Sequence, residues 1–194
     1  MKDKFIEIYK TNIIRDGSDK LLEWLEKSDF FTAPASTRFH GAVEGGLVKH
    51  SVNVYNRLEK ILIETELQKT GNMGDSVLET AAICGLLHDV CKVNFYKTEM
   101  RNVKVNGNWE QQPYYTVEDQ LPYGHGEKSV YIISGFMRLT RDEAMAINWH
   151  MGGFDERVKG GSYSLGEAFR KYPIALNLHI ADMQATYFDE VKDK

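Results

Sequence analysis

Gly85-Leu86-Leu87-His88-Asp89-Val90-Cys91-Lys92 sets an imidazole and a carboxylate side by side at the end of an apolar stretch. Leu78, Ala81, Gly85 and His88 follow one another in steps of three or four residues, so they share one stripe of a helix, with Asp89 beside it. Upstream, Leu47, His50, Val54 and Leu58 repeat the pattern, and near the end of the chain Leu178, Asp182 and Ala185 do so again. A lone histidine on an apolar face is most often a hydrogen-bonded core residue. A buried imidazole or carboxylate is costly unless it is paired or bound to metal. Three helices that each aim such groups inward are most simply explained by one shared partner.

Working outward, Ser18-Asp19 before Leu21, Leu22 and Leu25 predicts an early helix, and Phe30 to Phe39, with Pro34, reads as a loop. Gly46 opens a helix through about Glu64. Asp75 or Ser76 caps the next, which runs to about Lys92. Asn106-Gly107-Asn108 between Val103-Lys104-Val105 and Trp109-Glu110 predicts a short hairpin. A helix follows from Gly124-His125 to about Leu139. Thr140-Arg141-Asp142-Glu143 and Ser164-Leu165-Gly166-Glu167 both match a capping box, the first opening a helix that ends near His150. Pro173 suits the first turn of a last helix that carries Asp182 and ends near Asp189. The expected architecture is all-α, a helical bundle with one short inserted β-hairpin, built as a single domain over residues 1–194.

Hydrophobic residues at 42% and charged residues at 27% are ordinary globular usage. A formal charge of −4 lacks the basic excess of many nucleic-acid binders. No apolar run approaches the roughly 18–20 residues that span a bilayer, and Met1-Lys2-Asp3-Lys4 leads into a mixed segment, so no membrane partner and a cytoplasmic location are expected. Cys84 and Cys91, read as members of one helix, stand about 10 Å apart at 1.5 Å per residue, too far for a disulfide.

The strings Gly45-Gly46-Leu47-Val48-Lys49-His50-Ser51, Gly85 to Lys92, Tyr123-Gly124-His125-Gly126, Asn148-Trp149-His150 and Leu178-His179-Ile180-Ala181-Asp182 together resemble the HD-domain superfamily of metal-dependent phosphohydrolases. The resemblance spans about residues 38–187, and its nearest flavour is the HD module of bacterial 3′-to-5′ exoribonucleases. It implies that His50, His88, Asp89 and Asp182 hold a first metal ion and that Asp89 bridges to a second completed by His125 and His150. Carboxylate and imidazole donors suit one or two divalent ions of Mn, Fe, Co, Ni or Zn, with Mg also in range, better than Ca. Such ions activate water for attack on phosphorus. The implied substrate is a phosphomonoester or phosphodiester of the nucleotide class, an RNA or single-stranded DNA end included. Cys91 stands where the family usually carries Gly and is expected to touch no ligand.

Lys92, four residues after His88, is a candidate catalytic contact to phosphate, whose bland alternative is an exposed lysine at a helix end. Arg38 and His40 are candidate phosphate and leaving-group contacts, or simply loop residues. His179, one turn before Asp182, is read as orienting a ligand. Tyr96, Trp109, Tyr114, Tyr115 and Tyr123 either stack a base or pack the hairpin. The ligand order is shared with a di-iron oxygenase resembling myo-inositol oxygenase, and a non-catalytic ligand-binding HD module is the third reading. The sequence sets no oligomeric state.

Overall fold

The computed structural model describes residues 1–72 and 74–190. In chain order the helices are α1 (Lys2–Asn12), α2 (Ser18–Lys27), α3 (Gly46–Thr70) and α4 (Asp75–Leu87), then α5 (His125–Ser134), α6 (Arg141–Trp149), α7 (Glu156–Lys159), α8 (Ser164–Lys171) and α9 (Pro173–Gln184). Strands β1 (Tyr96–Val105) and β2 (Asn108–Val117) form an antiparallel hairpin between α4 and α5. The all-α bundle with one inserted hairpin is therefore the observed fold. Among the described residues no helix is long and apolar enough to cross a membrane.

Helix α3 lies at the centre and packs on α4 and α9, while α6 packs on α9 and α5. Its inward stripe of Leu47, His50, Val54 and Leu58 is buried throughout. Two glycines set the close approaches. A Cβ on Gly85 would lie 2.5 Å from Tyr55 Cα, so the end of α4 meets the α3 backbone directly. A Cβ on Gly126 would lie 2.4 Å from Asn148 O, which brings the start of α5 against the end of α6. Both crossings sit beside the histidines picked out above.

Several boundaries differ from the reading of the sequence. Helix α1 was not anticipated; Phe5 and Tyr9, one turn apart, bury its inner face. Helix α3 continues past Glu64 because no breaker intervenes before Gly71, which ends it at φ 73°. Helix α4 starts after Gly74, whereas the Asp75 side chain lies outside the described residues. It stops at Leu87 rather than Lys92. Helix α5 stops before Gly135, short of Leu139, as the poor helix propensity of glycine allows. The capping box at Thr140 and Glu143 forms with both arms. That at Ser164 does not, because Ser164 is already the first helical residue of α8 and Tyr163 occupies the cap position.

The hairpin is longer than expected, ten residues in each strand, and turns at Asn106 (φ 50°) and Gly107 (φ 90°), the paired positive φ of a type I′ turn. No described residue of either strand is buried. At about 3.3 Å per residue Trp109 stands roughly 26 Å along the strand from Val117, so only the base of the hairpin adjoins the helices. There Tyr96 Oη donates to Ala35 O at 3.2 Å.

One buried ion pair fastens the far end of the bundle. Glu143 is fully buried and accepts from Arg15 Nη1 and Nη2 at 2.6 and 2.8 Å, from Thr80 Oγ1 at 3.1 Å and from Thr140 N at 2.8 Å. Burial pushes its pKa up, but Arg15 and the Thr140 amide outweigh this and hold it below the usual carboxylate range. A carboxylate depressed in the folded state stabilises above its unfolded pKa, and that contribution is lost as pH falls through the folded value. Arg15→Ala strands the charge and is expected to cost about 3–5 kcal/mol in urea denaturation at neutral pH. The penalty should shrink as pH falls through the carboxylate range, because protonated Glu143 needs no cation; a pH-independent penalty would contradict the assignment.

Candidate metal centre

Helix ends deliver most of the polar residues. His88 closes α4 at φ −55°, and Asp89 then leaves the helical conformation at φ −107°, ψ 17°. Val90–Lys92 form a 3₁₀ turn, closed by Lys92 N donating to Asp89 O at 3.0 Å. His125 begins α5, His150 closes α6, Asp182 lies in the last turn of α9, and His50 lies in the second turn of α3. The bundle brings all six side chains into one cluster, with His50, His88, Asp89 and His150 buried and His125 and Asp182 partly exposed.

Asp89 is at its middle, 2% exposed. Its Oδ1 lies 2.8 Å from His125 Nε2 and 3.6 Å from His150 Nε2. Its Oδ2 lies 3.5 Å from His88 Nε2, 3.7 Å from His50 Nε2 and 2.7 Å from Lys92 Nζ. One carboxylate therefore faces two separate pairs of imidazoles, one pair with each oxygen. Asp182 Oδ1 approaches His50 Nε2 at 3.2 Å, and the Nε2 atoms of His50 and His88 are 3.3 Å apart.

The other ring nitrogens explain the orientation. His88 Nδ1 lies 2.9 Å from Gly85 O, and His150 Nδ1 lies 2.7 Å from Ile147 O. A carbonyl can only accept, so each Nδ1 carries the proton and each neutral ring turns an Nε2 lone pair into the cluster. His150 Nε2 is buried there with no hydrogen-bond partner. Buried Nε2 lone pairs of His88 and His150, turned towards the Asp89 carboxylate beside Asp182 and the Nε2 of His50, suit a cation shared among them. The donor set fits a divalent metal.

The ionisable groups of the cluster shift in opposite directions. Burial and the neighbouring histidines push His88 down to about 3, against the pull of Asp89. Burial also opposes charging of His50, but hydrogen bonds with Asp182 and Glu190 overcome it and raise His50 to about 10. Burial would raise Asp89; Lys92, His88 and His125 outweigh it and hold it well below the carboxylate range. Asp182 is likewise depressed, burial being outweighed by His50. The carboxylates stay ionised, as metal ligation requires.

The HD domain family profile matches residues 47–183, most of the chain, and the match encloses all six residues of the cluster. The chain belongs to the HD-domain family. No curated protein and no solved structure matches it. HD domains are generally metal-dependent phosphohydrolases, and the buried histidines and aspartates of this one are positioned to hold a metal.

Around this HD-domain centre the remaining candidates fall unevenly. Lys92 does not lie one helical turn beyond His88, since α4 has ended; the 3₁₀ turn carries it back so that its ammonium, 11% exposed, pairs with Asp89. His40 packs its ring 4.8 Å from that of His50, and its Nε2 is buried without a partner. Arg38 is exposed, with its guanidinium over the Phe39 ring. His179 reaches the centre through the backbone, with Nδ1 2.7 Å from His150 O.

Two residues escaped the reading of the sequence. Glu190, outside the matched segment, places Oε1 3.0 Å from both His50 Nδ1 and Asn53 Nδ2. Arg57 binds the preceding Asp189 through Nε and Nη2 at 2.9 and 2.6 Å, so the last turn is clamped onto α3. Cys91 was expected to touch no ligand, yet its Sγ lies 3.5 Å from the ring of His125, because the break at Asp89 turns it off the helix. A carboxylate on the far nitrogen of a metal-binding histidine fixes its tautomer and raises its basicity. Glu190→Ala is therefore expected to weaken uptake of a divalent ion about 10- to 100-fold, read by calorimetric titration of metal-free protein. Unchanged affinity would reduce Glu190 to a clamp on the chain end.

Proposed function

We propose that this HD domain is a phosphohydrolase of small phosphate esters, with a nucleotide or the end of a short oligonucleotide as its natural substrate. The observation that carries this reading is the division of Asp89, which offers one oxygen to His50 and His88 and the other to His125 and His150. His50, His88, Asp182 and one Asp89 oxygen would hold a first ion; the other Asp89 oxygen, His125 and His150 would hold a second, both of the transition series. Ions bound in this way lower the pKa of water and polarise a phosphoryl oxygen.

The chain's own residues have three tasks. With the imidazoles neutral, as metal ligation requires, Asp89, Asp182 and Glu190 against Lys92 leave the centre with an excess of two negative charges, which two divalent ions would reverse, so an anionic substrate would be favoured. Lys92 stays charged although burial opposes it, because Asp89 stands beside it, and it offers a fixed ammonium to a phosphate oxygen. His40, with one ring nitrogen unpaired at the edge of the cluster, is placed to hydrogen-bond the leaving-group oxygen. Tyr96, tied to Ala35 at the base of the hairpin, would border the substrate, whereas Trp109 lies near the hairpin turn.

Purified protein supplied in turn with Mn, Fe, Co, Ni, Zn and Mg should hydrolyse nucleotides or model phosphoesters, and should do so equally without oxygen. Turnover that requires oxygen would move the assignment to an oxygenase. Lys92→Ala should lower kcat/KM by about 10- to 100-fold, the worth of a hydrogen bond to a charged group, ~1.5–3 kcal/mol, with metal content unchanged. Unchanged kinetics in that variant would confine Lys92 to its pairing with Asp89.

A further inference from the structure

Cys91 is buried in the 3₁₀ turn that follows His88-Asp89, and its Sγ is equidistant, at 3.5 Å, from Nδ1 and Nε2 of His125. Asp89 Oδ1 is 2.8 Å from the same His125 Nε2. Donor atoms of Asp89, Cys91 and His125 all fall within 4.8 Å of one another, an oxygen, a sulfur and a nitrogen. The buried and unpartnered Nε2 of His150 is 3.6 Å from that oxygen. With Zn–S near 2.3 Å and Zn–N near 2.0–2.1 Å, one ion would take both the sulfur and an imidazole nitrogen once the partly exposed His125 ring turns from its contact with Asp89.

The backbone holds this arrangement in place. Cys91 N donates to Ser129 Oγ at 3.2 Å, and Ser129 stands one turn after His125 on α5. The 3₁₀ turn and α5 pack together, so the thiol and the imidazole are carried by two elements fastened to each other. Cys84, the other cysteine, is buried within α4, and burial pushes its thiol pKa well up. It belongs to no such group of donors among the described residues.

We propose that Cys91 is a thiolate ligand of the second metal ion, which makes the two halves of the centre chemically unlike. The first half offers imidazole and carboxylate alone. The second offers carboxylate, imidazole and sulfur, and therefore selects zinc, ferrous iron or cobalt over magnesium or manganese. On binding, the S–H proton passes to solvent and a metal–sulfur bond forms, with no change of oxidation state. The proposal rests on the metal centre described above and adds to it a ligand and a selectivity.

Cobalt(II) added to the metal-free protein tests both levels separately. A near-ultraviolet thiolate-to-cobalt charge-transfer band is expected in the wild type and in Cys84→Ala. It should be absent in Cys91→Ser, which should still bind cobalt in the first half with weaker visible bands only. Cobalt bound by the wild type without the band, or a band that persists in Cys91→Ser, overturns the assignment of Cys91 and leaves the centre standing. A folded wild type that binds no cobalt overturns both. Should Cys91→Ser fail to fold, X-ray absorption of the zinc-loaded wild type decides: a sulfur shell at about 2.3 Å supports the ligand, and nitrogen and oxygen alone exclude it.

Discussion

The Asp89 carboxylate is the constraint on which the rest depends. It is buried, ionised and central, and an isolated charge in that position would unfold the bundle or lose its ionisation. Each surrounding element supplies something that keeps it charged. The turn after α4 returns Lys92 to it, α5 brings His125, and α3, α4 and α6 bring three imidazoles whose outer nitrogens are already committed. The cluster is costly to the empty fold and favourable once cations share it, so folding and metal uptake are thermodynamically linked.

Placing these groups at helix ends reconciles precision with polarity. A helix interior offers side chains on a packed face, whereas its last turn also leaves carbonyls without amide partners. His88 and His150 use this in the same way, each with Nδ1 against the carbonyl three residues earlier. The ring is thereby fixed in tautomer and direction without recruiting another side chain. Gly85 and Gly126 allow the helices that carry His88 and His125 to approach their neighbours at backbone distance. The main chain thus orients His88 and His150, while side chains orient His50 and Asp89.

The hairpin contrasts with this. It contributes no buried residue among those described, and its strands find their hydrogen bonds in each other. Changes along the hairpin are therefore less constrained by packing than changes in the helices that carry the ligands.

The sequence by itself determined the inward stripes of three helices, the order of the six polar residues along the chain, the Asn106-Gly107 turn and the capping box at Thr140. All of these are written in spacings of one to four residues or in one ordered motif, and local backbone geometry converts such spacings into shared faces. Only the tertiary structure decided that α4 breaks at Asp89, which returns Lys92 to the carboxylate and turns Cys91 towards His125. It alone paired Arg15 with Glu143, and Glu190 with His50, 140 residues away. Ion pairs of that separation leave no local trace, because an acid near the chain end reads as solvated until the fold buries it beside an imidazole that needs its charge.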